Sequence, residues 1–239
     1  MVTTNLYGQP IGAELAAWAP CPRPPRVILE GRYCRLEPLD PDRHARELYA
    51  ANGESPDDRF WTYLPQGPFS SFDLYEAWLR QVAPGEDPLF FVLRDYRDGL
   101  AAGIASYLRI DPAVGSIEVG HINFAPRLQK TRAATEVIYL MIANAFDTLG
   151  YRRFEWKCDS LNAPSRAAAL RFGFTFEGIF RQATVYKGRN RDTAWFSIID
   201  QEWPALKEAY LAWLSPENFD ESGAQRKRLG DLVEEVRGR

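Results

Sequence analysis

Between Leu89 and Phe124 three strand-like stretches follow one another directly, and this run constrains the fold more than any other feature. Leu89 to Arg94, Ala101 to Ile110 and Ser116 to Phe124 are separated only by short segments built around Asp98-Gly99 and Asp111-Pro112. Such connections carry hairpin chemistry and join antiparallel neighbours, whereas a parallel return needs a crossover of about a dozen residues. After Pro126 the period becomes helical. Ala133, Val137, Leu140, Met141 and Ala145 share a face of a helix predicted over Gln129 to Leu149, which Gly150 terminates. A strand over Arg153 to Asp159 follows, then a helix capped by Asn162 and closing at Gly173. Two last strands, about Thr175 to Tyr186 and Asp192 to Asp200, bracket the turn Lys187-Gly188-Arg189-Asn190. Strand runs on either side of a helix–strand–helix segment predict an α+β class on a mixed sheet, not a doubly wound parallel one.

The flanks read differently. Residues 1–26 carry Pro10, Pro20, Pro22, Pro24 and Pro25 around Trp18, a density that excludes a long helix or a central strand and suits a strap lying on the body. Val27-Ile28-Leu29 and Tyr33 to Pro38 form a short strand pair, and Asp40 and Asp42 offer caps to a helix through Ala51. A second helix spans Phe72 to Val82 and stops at Pro84-Gly85. Pro204 opens an amphipathic helix with Leu206, Tyr210, Trp213 and Leu214 on one face, an apolar stripe able to dock on the body or on a second copy in a homodimer. Beyond Ser215 the chain is charge-rich, with a late helical pattern at Leu232 and Val236. The expected division is a strap over 1–26, a domain over 27–203 and a helical extension over 204–239.

Composition removes several classes. The 29 basic and 32 acidic residues leave a net charge of -3, so no overall field draws polyanions and nucleic acid is a poor partner. No apolar run approaches a membrane span, and the first residues lack a basic start and apolar core, so no membrane contact and no targeting segment are expected. Cys21, Cys34 and Cys158 are far apart and odd in number, which suits a reducing, cytoplasmic setting. With His44 and His121 the only histidines, no metal site is expected, and no H-E-x-x-H, Walker, G-x-G-x-x-G or G-x-S-x-G motif occurs.

The junction from Glu118 to Glu136 carries the most chemical information. A helix N-terminus exposes unpaired amides and partial positive charge, and it accepts a diphosphate where the flanking side chains are small or basic. Here Thr131, Ala133 and Ala134 are small while Arg127, Lys130 and Arg132 are cationic. Alone, this is equally the pattern of a capped surface helix with a solvated basic turn. Together with the segment from Trp156 to Gly178, in which Asn162-Ala-Pro-Ser165 leads to Phe172-Gly-Phe-Thr-Phe-Glu-Gly178, it resembles the GNAT superfamily of acetyl-CoA-dependent N-acetyltransferases. The branch it is most similar to is the RimJ/RimL-like ribosomal-protein N-terminal type, over about Tyr33 to Trp203.

This resemblance implies a GNAT fold: a mixed, mostly antiparallel sheet with helices on both faces and one splayed strand pair. It implies an enzyme that moves an acetyl group from acetyl-CoA to a primary amine, either a protein N-terminus or a small molecule. The alternatives are a non-catalytic acyl-CoA-binding regulatory domain of the same fold and an anion-binding protein without acyl chemistry. The family's pyrophosphate loop maps onto Gln129, Lys130, Thr131, Arg132, Ala133 and Ala134, with Arg132 in place of the usual first glycine. The splayed strand implies pantetheine contacts from main-chain groups of His121, Ile122 and Phe124, and Asn162 either touches the pantetheine arm or caps its helix. Ser165 is the implied proton donor to the thiolate, because the tyrosine of many relatives falls at Ala169. Thr184 stands where some relatives carry a basic glutamate, so that role does not transfer. Glu118 and His121 are the remaining base candidates, and strand alternation sends residues three apart to opposite faces. The aromatic segment Phe60 to Phe69, with Trp61 and Tyr63 as acceptor-binding candidates, reads as an apolar lid or as core.

Overall fold

The computed structural model describes residues 3–238, so Met1 and Val2 of the expected strap and Arg239 of the expected extension lie outside the described residues. The proline-rich start forms a small hairpin, β1 (Thr3–Thr4) and β2 (Pro10–Ile11), followed by an extended strap. Trp18 anchors this strap by donating its indole N–H to the Ala113 carbonyl at 3.0 Å, and a Cβ at Gly115 would collide with its ring. The Cys21 amide adds a backbone bond to Pro112.

The strand pair β3 (Leu29–Glu30) and β4 (Cys34–Pro38) leads into α1 (Pro41–Asn52), capped by the Asp40 carboxylate, and α2 (Phe72–Val82), capped by Ser71. Then β5 (Leu89–Asp95), β6 (Ala101–Asp111) and β7 (Ser116–Phe124) pair antiparallel in sequence order, as their short turns require. An excursion through α3 (Arg132–Ala143), extended by wider turns over Asn144–Thr148, returns the chain as β8 (Arg153–Asp159), parallel to β7. After α4 (Ala163–Arg171), β9 (Thr175–Tyr186) and β10 (Arg189–Ile199) form the last hairpin, and α5 (Trp203–Leu214) and α6 (Leu229–Arg237) close the chain. Among the described residues the sheet has eight strands in the order β3-β4-β5-β6-β7-β8-β10-β9, with β7–β8 the parallel pair. The class is the expected α+β.

Two boundaries move, each for a local backbone reason. The third helix starts at Arg132 rather than Gln129, because Lys130 takes a left-handed φ of 61° and Thr131 is the capping residue. The last hairpin turns on Lys187 and Gly188 alone, with φ of 48° and 71°, the two-residue geometry whose twist matches the flanking strands.

Helices cover both faces. On one, Val137, Ile138 and Met141 of α3 meet Leu206 and Tyr210 of α5 and Leu232 and Val233 of α6, so the apolar stripe of α5 docks on its own body. On the other, Leu48 of α1 and Tyr75 and Leu79 of α2 pack on Phe90, Val92 and Ile104. Truncating a side chain as buried as Leu79 to alanine costs about 2–5 kcal/mol. None of the described helices is long and apolar enough to cross a membrane.

Candidate active site

The central feature is a pair of strands that part. β7 and β8 pair from Ser116↔Arg153 to Val119↔Trp156 and no further, although β7 runs on to Phe124 and β8 to Asp159. On the opposite side β7 remains bonded to β6, but with an irregularity: Gly120 faces Ser106 and Asn123 faces Ile104, so His121 and Ile122 both oppose Ala105. This is a β-bulge, with His121 held at a φ of 49°.

The extra residue resets the alternation of β7. His121 therefore projects toward the same face as Glu118, a correction to the expectation from simple spacing. Its ring lies 4.9 Å from that of Phe90, in the core beneath α1 and α2. Burial first, and then the charge of Arg109, which bonds Glu118 at 2.7 Å, lower the His121 pKa to about 4. Ser106 Oγ donates to the Gly120 carbonyl at 3.3 Å and so accepts from His121 Nδ1–H at 2.8 Å. That assignment leaves Nε2 of a neutral imidazole as an acceptor.

Beyond the bulge the backbone turns into the loop before α3. Gln129 is exposed, and its side-chain amide donates to the Phe124 carbonyl at 3.0 Å and braces the loop. The Thr131 hydroxyl donates to Leu128 O at 2.6 Å and accepts from the Ala134 amide at 3.1 Å. The amides of Arg132 and Ala133 keep no partner among the described residues. Arg132 leaves the loop open: its guanidinium lies 4.3 Å from the Phe219 ring centre and 5.2 Å from that of Tyr33, stacked against aromatics instead of folded over the amides. Tyr33 is held there by Glu136, whose buried carboxylate accepts from the amides of Arg32, Tyr33 and Cys34 at 2.8, 2.6 and 3.0 Å. A Cβ at Gly31 would strike that carboxylate.

A cavity of about 1580 Å³ runs from this loop to the parted strands. Ile122, Phe124, Thr131, Ala133 and Ala134 line it, and Asn162 and Ser165 of the α4 start line its far wall. Asn162 Oδ1 accepts from the Ser165 amide at 3.1 Å, so it is a helix cap that also borders the cavity. Ser165 Oγ accepts from the Trp156 indole at 3.0 Å, and Trp156 is the last residue of β8 paired to β7. The serine oxygen thus sits where the strands diverge, and its hydroxyl hydrogen is within reach of the Cys158 sulfur.

On the other face, Glu118 belongs to a closed ionic chain. It bonds Lys157 at 3.1 Å, Lys157 bonds Glu155 at 2.6 Å, and Arg153 joins Glu155 to Glu177 at 2.7 and 2.5 Å. Burial raises the Glu118 pKa against the pull of Arg109 and Lys157. Of the predicted lid, Trp61 is 4% exposed and belongs to the core with Phe69, whereas Phe60 lines the cavity and Tyr63 donates to the Leu161 carbonyl at 3.2 Å beside α4. Thr184 faces Arg191 in the exposed β9–β10 hairpin.

Several contributors had no sequence signal. Arg171, at the end of α4, lines the cavity, donates to Thr135 Oγ1 at 3.1 Å and lies over Phe172 and Trp213; burial lowers its pKa. Arg226 and Arg228 reach the same cavity from the charge-rich stretch after Ser215. Only their convergence marks them.

Parted parallel strands, a helix N-terminus with open amides and a sheltered hydroxyl at the fork define an acyl-transfer site of one class. A family model described as an acetyltransferase (GNAT) domain matches residues 34–175, more than half of the chain, and the protein belongs to that family. It is similar to a GCN5-related N-acetyltransferase from Brucella melitensis, whose crystal structure matches with a TM-score of 0.90 and 51% identity over 92% of this chain and 100% of that one. It is 28% identical over 177 residues, 72% of this chain and 92% of the relative, to the Bacillus subtilis (strain 168) protein named "Putative ribosomal N-acetyltransferase YdaF". A RimL ribosomal L7/L12 alpha-N-protein acetyltransferase shares the fold, at 19% identity and a TM-score of 0.61 over 72% of this chain and 94% of that one. This chain is an N-acetyltransferase of the GNAT family, whose acyl donor is acetyl-CoA.

Proposed function

We propose that this chain acetylates the α-amino group of a peptide or protein N-terminus, with acetyl-CoA as the donor. The carrying observation is the alignment along one cavity of the open Arg132 and Ala133 amides, the parted strands and the Ser165 hydroxyl. A diphosphate at the two amides gains both hydrogen bonds and the helix dipole, and the small side chains of Ala133 and Ala134 permit close approach. The free edge of β7 around Ile122 then offers main-chain groups to the pantetheine arm.

Transfer forms a bond from the amine nitrogen to the acetyl carbon and breaks the carbon–sulfur bond. The nitrogen sheds one proton and the departing sulfur takes one. Ser165 is the proposed donor to sulfur: the Trp156 N–H bonded to its oxygen makes its hydrogen the better donor. Neither base candidate among the described residues is a strong base. His121, lowered to about 4, is an acceptor that orients the nitrogen and passes its proton toward water, and Glu118 is held by Arg109 and Lys157. The acceptor must therefore arrive neutral. At pH 7 about one α-amine in ten is neutral, against about one lysine in a few thousand, so the site favours N-termini. The name of the similar YdaF, which refers to ribosomal N-acetylation, supports the same acceptor class.

The test is CoA release from acetyl-CoA with peptides whose α-amine is free or blocked, each with an internal lysine. Turnover with the free α-amine, and its loss on blocking, is expected. Faster turnover with the lysine alone, or with small amines only, overturns the reading.

A further inference from the structure

The matched family domain ends at residue 175, yet the cavity does not. Its outer wall is made by the segment after α5, which packs back on the body and is rigidly braced. Asn218, 9% exposed, donates to the carbonyls of Trp213 and Lys227 at 3.2 and 3.1 Å and accepts from the Lys227 amide at 2.9 Å. The Arg226 amide bonds Asn218 O at 2.6 Å, Phe219 bridges to Gln225, and Gln225 accepts the Trp213 indole N–H at 2.8 Å. Phe219 in turn stacks on Arg132, so this segment is what draws the bulky arginine away from the phosphate-binding amides.

Charge is distributed unevenly there. Arg32, Lys130, Arg132, Arg171, Arg226 and Arg228 all line the cavity, and none forms an ion pair with a carboxylate among the described residues. Glu217 acts on Arg32 and Asp220 on Arg226 only at a distance. Of the acidic groups on the lining, Asp95 is taken by Arg97 at 2.6 Å, and Asp231 remains. In a protein of net charge -3, such a concentration of unpaired cations around a concave site focuses a positive potential suited to a polyanion. Two open amides account for a diphosphate. They leave the rim arginines unexplained.

We infer that the segment from Ser215 to Arg228 is part of the donor site, and that Arg226 and Arg228 grip the ribose 3′-phosphate at the nucleotide end of CoA. The inference rests on the acetyl-CoA reading above. A guanidinium matches a phosphate through paired N–H donors, and the braced backbone fixes where both side chains leave the chain before the ligand arrives, so the ordering cost on binding is confined to the side chains. Arg171 lies deeper in the same cavity, beside Thr135 one turn into α3.

The experiment is calorimetric titration of the full chain with CoA and with 3′-dephospho-CoA, for the wild type and for an Arg226→Ala/Arg228→Ala variant. Both side chains belong to exposed residues, and an unchanged melting temperature without ligand confirms the variant's fold. The wild type is expected to bind CoA about tenfold more tightly than dephospho-CoA, and the variant to lose that preference while keeping its affinity for dephospho-CoA. Equal wild-type affinity for the two ligands, or equal losses for both in the variant, overturns the phosphate grip and leaves the donor reading standing. Failure of the wild type to bind either ligand overturns both.

Discussion

The two faces of the sheet around the parted strands handle charge in opposite ways. On the α1–α2 side, Arg109, Lys157 and Arg153 meet Glu118, Glu155 and Glu177 in a chain of equal positive and negative groups, with Lys157 also 3.8 Å from the centre of the Trp195 ring. On the α3–α6 side, Arg132 and Arg171 face aromatic rings, and Lys130, Arg226 and Arg228 have no ion-pair partner among the described residues. A network that satisfies itself has nothing left for a ligand and serves shape. Unspent cations around a cavity await an anion from outside.

The largest break in this contrast is on the closed side. Glu118→Ala leaves Lys157, 7% exposed, with one carboxylate fewer, and unfolding by denaturant is expected to show a loss of about 3–5 kcal/mol. Next comes acid. His121 stays neutral in the fold down to about 4, while the unfolded chain takes up a proton below about 6.5. Its contribution is thus intact above about pH 6.5 and is lost as pH falls toward 4, by roughly 3 kcal/mol at the end of that window. A His121→Gln variant, which keeps Glu118 and the likewise depressed His44, should show a correspondingly shallower fall in stability between pH 7 and 4.5; identical curves would place the imidazole in a different setting.

On the open side, Ser165→Ala should slow turnover roughly a hundredfold with CoA affinity unchanged, as read from steady-state rates beside calorimetry. Equal losses in both would make the hydroxyl a binding group. Smallest of all, Lys130→Glu reverses a charge on an exposed residue of the cavity rim and should weaken CoA about tenfold without shifting the ligand-free melting temperature. The same substitution made at Lys187, whose ammonium serves the Trp61 carbonyl at the lid, should leave CoA affinity alone.

Much of this was legible in the chain because it depends on neighbours in sequence. Asn162 is a cap by residue type and position and accepts the amide three residues on, whereas the cap at Thr131 fell inside the predicted helix. The meander follows from turns of a few residues, and β7 and β8 keep their predicted limits. The candidate site was legible only in part. Ser165 could be placed on a helix start but not at the fork, which needs the Trp156 indole from another strand. The bulge at His121 is announced only by Gly120, an isolated glycine inside a strand run, and strict alternation, which ignores that signal, put His121 on the wrong face. Trp61, an apolar residue in a loop, was equally suited to lid or core until Phe69 and the α2 face closed around it.

By itself the sequence determined the order and kind of elements, the caps, the antiparallel meander and, through the segment from Asn162 to Gly178, the family. These rest on backbone preferences and apolar periodicity, which act over a few residues. Tertiary structure alone decided the fate of Arg132, the closure of the Glu118 network and the joining of Arg171, Arg226 and Arg228 to one cavity. Charge and aromatic contacts of that kind act through space between segments far apart in the chain. Their partners are chosen only when the sheet has brought its two faces and the last helices into register.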